Sequence, residues 1–135
     1  MSTLQTPSLA DRLERGLVDP AAFSHREHLR AGFELLARHG FQGALPRMTA
    51  GIKLIAAKTG NAGLYHDTIT TAFLAILSER MAAHPNLDFD AFLEAHPDLM
   101  DKALLNRWYD AQLLASPLAR DRFVLPRPAR AAGAS

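Results

Sequence analysis

Residues 23–40 read FSHREHLRAGFELLARHG, and the fold turns on how they are read. The apolar residues Leu29, Phe33 and Leu36 recur every three to four positions, the period of a helix and not of an alternating strand. Ser24 offers a hydroxyl cap, and Glu27, three residues on, completes the signature of a capping box. Phe23 stands just before the cap, where it can pack back on the first turns as a staple. Gly40 is a good left-handed terminator. A helix is therefore expected from Ser24 to Arg38 or His39.

Working outward, the same signals recur. A short helix is expected from Leu9 to Leu17, capped by Ser8, followed by a turn at Asp19-Pro20. After Gly40, Pro46 suits the first turn of a third helix, Leu45 to Lys58. Gly60, Asn61 and Gly63 mark a loop, and a long helix runs from Tyr65 to Ala83, before Pro85. Beyond it the elements shorten. Asp88 caps a helix to Ala95, Pro97-Asp98 opens another to Arg107, Asp110 starts a single turn, and Ser116-Pro117 opens a last helix to Phe123. No alternating strand pattern or internal repeat is present. The expected fold is all-α: an irregular single-domain helical bundle over residues 1–126, with three longer helices, short C-terminal helices and a loose N-terminal stretch over 1–7. Residues 127–135 are expected as a flexible C-terminal tail.

Composition narrows the function. A chain of 135 residues, 48% of them apolar, suits one globular domain. A net charge of +1 gives no reason to expect nucleic acid or an acidic membrane surface as partner. The absence of cysteine removes disulfides, thiolate metal sites and cysteine nucleophiles, and fits a reducing compartment. No signal peptide or membrane-spanning run is legible, so the reading is soluble and cytoplasmic. Oligomeric state is not legible.

The histidines stand out. On a helical period His25 and His28 share the side of Leu29, Gly32, Phe33 and Leu36, opposite Arg26, Arg30 and Glu34. In the long helix the apolar face of Ile69, Phe73, Ile76, Leu77 and Arg80 extends back one turn to His66. Three inward imidazoles, each in a first turn, are expected to meet at one end of the bundle. There they would hold one divalent metal ion (zinc, copper, nickel or iron) with open positions for water or substrate. The plainer alternative is that they hydrogen-bond within a pocket or cap their helices. His39, His84 and His96 read as helix-end residues.

The stretches FSHREHLRAGFELL, GLYHDTITTAFLAILSERM and DFDAFLEAHPDLMDKALLNRWYDAQLLASPLARDRFVLP resemble a family of small, uncharacterised bacterial all-helical proteins. Its members read like FTHxxHLxxA, then GKYHETITWAF, then LLxxYYSxxxLxSxxARxxFVLPD. The resemblance covers Phe23 to Pro126. It implies that the motif histidines correspond to His25, His28 and His66 and the threonines to Thr68 and Thr70, and it carries no activity. This chain departs at Gly63-Leu64 for Gly-Lys, Asp67 for Glu, Trp108-Tyr109-Asp110 for Tyr-Tyr-Ser, and Arg127 after Pro126.

Tyr65, Asp67 and Thr70 flank His66 and are the expected pocket or second-layer residues. Glu27 reads as a capping residue, with a base between two histidines as the alternative. Arg107-Trp108-Tyr109 reads as an anchor for the C-terminal segment. Arg120 or Arg122 is a candidate partner for a carboxylate or an anionic substrate. The leading expectation is a small metalloenzyme acting on a small molecule through His25, His28 and His66. The alternatives are a metal-free small-ligand-binding module or a helical protein-interaction module.

Overall fold

The structure, a computed structural model, describes residues 8–61, 63 and 65–127. The stretch 1–7, the tail from 128 onward and Leu64 lie outside the described residues. Six α-helices follow in order: α1 Leu9–Glu14, α2 His25–Lys58, α3 Asp67–Ala83, α4 Phe89–Ala95, α5 Ala111–Leu114 and α6 Pro117–Asp121. Short 3₁₀ turns cover Pro20–Ala22, Pro97–Met100 and Leu104–Arg107. The fold is all-α as read from periodicity. Among the described residues there is no strand, and no helix is long and apolar enough to cross a membrane.

The breaks decide the shape. Gly40 interrupts α2 at φ 69°, ψ 179°, a conformation open in practice only to glycine. The chain folds back there, so Leu29 and Ile52, on either side of the break, line one cavity. In a straight helix they would stand about 35 Å apart at 1.5 Å per residue. The second arm begins directly after Gly40, four residues earlier than expected, because Phe41 packs on the core and Ala44 is fully buried. Pro46 consequently lies inside the helix and not in its first turn.

Other boundaries moved for similar local reasons. α1 stops at Glu14, not Leu17, because Gly16 (φ 70°) closes it: the amide of Leu17 donates to the carbonyl of Arg12, and that of Gly16 to Leu13. The expected helix from Pro97 to Arg107 is two separate 3₁₀ turns. Asp98, within the first of them, makes a two-pronged pair with Arg80 of α3, at 2.5 and 2.9 Å. Ser8, Asp88, Asp110 and Ser116 cap as read.

The core runs along the crossing of α2 with α1 and α3. Leu13, Leu29, Leu35, Leu74, Leu77, Phe92 and Leu99 are all but inaccessible to solvent. Small residues let the helices approach closely. A β-carbon on Gly51 would run into Leu13, and one on Gly32 would sit 3.0 Å from Leu77 Cδ1. At the far end, His84 and His96 cap the C-termini of α3 and α4, with ring nitrogens 3.1 Å apart.

Candidate functional site

The first turn of α2 positions two of the three histidines. Ser24 Oγ accepts the amide of Glu27, but the return arm of the expected capping box is not made. The Ser24 amide is already bonded to the carbonyl of Ala22, and the Glu27 carboxylate lies 3.9 Å from Arg26 instead. The staple does form. The ring of Phe23 lies 4.1 Å from that of His28, centroid to centroid. His25 turns toward the C-terminal segment, where its Nε2–H donates to the carbonyl of Leu99 at 2.8 Å. A carbonyl has only lone pairs, so that nitrogen carries the proton. Its ring meets Phe73 edge-on at 5.3 Å.

His66 is the cap of α3 and not its first residue. Its Nδ1 accepts the amide of Ile69 at 3.1 Å, as a serine or aspartate oxygen does at other helix starts. Its Nε2–H donates to the carbonyl of Leu114 at 2.7 Å. Both nitrogens of this buried, neutral ring are therefore committed, one to α3 and one to α5.

All three histidines line one cavity of about 410 Å³ between α3 and the two arms of α2. Its walls are mostly apolar: Leu29, Met48, Ile52, Phe73, Leu74 and Leu77 among them, with Gly32 at the helix crossing. The remaining polar groups are Ser24, Thr70 and Lys102; no aspartate or glutamate lines it. Residues 25, 28 and 66 border the same space, His66 from the cap of α3 and not from its apolar face.

Lining one cavity is not coordination. Among the described residues no group of three His, Asp or Glu side chains is arranged to hold a metal ion. The reason lies in the nitrogens. His66 has no lone pair left, because Nδ1 serves Ile69 and Nε2 serves Leu114. His25 spends its Nε2 on Leu99. A catalytic zinc site needs three protein donors with lone pairs free. The donor set does not fit zinc, copper, nickel or iron, and no chemical step is derived through one.

His28 is the exception. It lines the cavity and makes no hydrogen bond to any described residue, and neither ring nitrogen is sealed from solvent. Burial, with the His25 ring and the charge of Lys102 adding to it, pushes its pKa down to about 4. At neutral pH it presents one free N–H and one free lone pair to the cavity.

The flanking residues divide. Thr70 lines the cavity, whereas Tyr65 and Asp67 do not. The Tyr65 hydroxyl donates to Asp67 Oδ1 at 2.5 Å and lies 3.3 Å from Thr49 Oγ1, with Lys53 over its ring. Burial, then the Asp67 bond, pushes the phenol up to about 12. That pair fixes the chain leading into α3. Glu27 does not line the cavity. Of Arg107-Trp108-Tyr109, the anchor is Tyr109: buried, with its hydroxyl on the carbonyl of Val124 at 2.7 Å. Trp108 is exposed, and Arg107 joins Asp98. Arg120 donates to the carbonyl of Gly63, and the Arg122 carbonyl accepts from Thr68; neither arginine lines the cavity.

Lys102 is the site residue that sequence reasoning passed over. It sits between two 3₁₀ turns, where no periodicity assigns a face. In comparisons with known proteins, no family model, no curated protein and no solved structure matches the chain.

Proposed function

We propose that the chain is a metal-free small-molecule-binding protein whose pocket lies between α3 and the two arms of α2. Its occupant is a mainly apolar molecule with a polar group that hydrogen-bonds His28. One observation carries this reading: of three imidazoles bordering the cavity, His28 alone has neither nitrogen bonded to a described residue. Apolar walls with a few convergent polar groups are the ordinary build of a small-ligand site. Its volume is toward the small end of the roughly 300–1,000 Å³ such pockets span.

The chemistry of His28 favours recognition over acid–base work. A general base is most effective with a pKa near the working pH, and one held at about 4 is a weak acceptor of protons at neutrality. It remains a good hydrogen-bonding group. The test is a fluorescence titration with the neutral apolar fluorophore N-phenylnaphthylamine in the presence of EDTA. Saturable binding at one site is expected. It should weaken about tenfold in His28→Leu, the worth of one good hydrogen bond, while the far-ultraviolet circular dichroism is unchanged. Binding that disappears in EDTA and returns with added zinc would overturn the reading.

A further inference from the structure

Charge around the pocket is one-sided. Its lining holds an ammonium, Lys102, and no carboxylate. Elsewhere six arginines are ion-paired: Arg26 with Asp90, Arg30 with Glu34, Arg38 with Asp11, Arg47 with Glu14, and Arg80 and Arg107 with Asp98; among the described residues, no other lysine or arginine lines the cavity. Lys102 makes neither an ion pair nor a hydrogen bond with any described residue, and it is exposed at the cavity's edge. An unmatched cation beside an apolar chamber is complementary to a molecule with one anionic end and an apolar body.

We infer that the occupant is an amphipathic carboxylate, its apolar body against Leu29, Ile52, Phe73 and Leu77 and its anionic end at Lys102. This rests on the reading of the cavity as a ligand pocket. The free N–H of neutral His28 donates a second bond to the same head group. An organic cation would meet Lys102 with no acid to hold it. A nucleotide or sugar phosphate would bring several negative charges to a lining that offers one lysine ammonium, and several hydroxyls to walls that are mostly apolar. A monoanion with a short apolar body leaves neither mismatch. The same positive charge contributes to holding His28 unprotonated, which keeps the imidazole's acceptor nitrogen free for a hydroxyl or amide elsewhere on the molecule.

The test displaces N-phenylnaphthylamine with octanoate, octanol and octylamine, which share a chain and differ in head group. At pH 7.5 and low salt, octanoate should displace at a concentration about tenfold lower than octylamine, with octanol between. The gap should narrow with added salt. Lys102→Gln should bring octanoate and octanol together, and Lys102→Glu should put octylamine ahead. Lys102 is exposed on a turn, so both variants keep the fold. Octylamine equal to or better than octanoate in the native protein would overturn the inference, as would a ratio unchanged in Lys102→Glu. Either result leaves the pocket standing. Failure of the fluorophore itself to bind would remove the pocket and the inference together.

Discussion

Taking the protein from pH 7 to pH 5 will remove about 2 kcal/mol of stability, most of it through His28. In the unfolded chain this imidazole titrates near 6.5; in the folded protein burial pushes it down to about 4. Between those values the unfolded chain binds a proton that the folded protein does not. Stability therefore rises with pH across the window and is lost as pH falls through it, up to about 3 kcal/mol by pH 4 at 1.36 kcal/mol per unit. His96 is also held below its ordinary value, chiefly by burial, and adds in the same direction. Asp11 and Asp98 are held below the usual carboxylate value by Arg38 and Arg80, so their contributions are lost only at lower pH. His28→Leu should keep the contact with Phe23, flatten the pH 5 to 7 dependence and leave the variant more stable than the native protein at pH 5. Urea unfolding at the two pH values measures it. An equal slope in the variant would show that the imidazole is not held neutral by the fold.

His66→Ala should cost about 3 kcal/mol at pH 7 and unfold part of the population at physiological temperature. Two losses add. The start of α3 loses its cap, worth about 1 kcal/mol, and the carbonyl of Leu114 loses its buried donor, worth roughly 1–3 kcal/mol. His66→Asn can restore the bond to the Ile69 amide but is too short to reach Leu114 in α5 as well, so it should recover only about 1 kcal/mol. Thermal melts of the two variants separate cap from clamp. Neither loss should depend on EDTA or added zinc. A melt of His66→Ala that matches the native protein without metal but falls behind once zinc is added would restore the coordination reading.

The two histidine effects show where a sequence speaks and where it stops. Periodicity placed residues 25 and 28 on the inward side of α2, and both border the cavity; His66 borders it from the cap of α3, a position that helical spacing does not assign. What each ring nitrogen bonds depends on segments far along the chain: Leu99 for His25, Leu114 for His66. Both partners are backbone carbonyls, which no side-chain motif announces. Phe23 was legible as a staple because N′ and N4 are fixed by the cap at Ser24. Glu27 was misread in half its role because the Ser24 amide is bonded within the preceding 3₁₀ turn. Lys102 was invisible for a related reason: it stands on no periodic element, and its importance comes from the absence of acids around a cavity built by other segments. The C-terminal third was correct in its caps and wrong in its continuity, since the Arg80–Asp98–Arg107 pairing outweighs the local preference for one helix from 97 to 107.

The most direct test is an imidazole ¹H–¹⁵N correlation spectrum of labelled protein at pH 7 with EDTA, recorded before and after saturation with N-phenylnaphthylamine. Nε2 of both His25 and His66 should carry a proton in both spectra, with Nδ1 of His66 unprotonated, and only the ring nitrogens of His28 should shift on binding. Bound fluorophore with His28 unmoved, or a His66 ring whose Nε2 carries no proton and changes with added zinc, would contradict a pocket built around one free imidazole.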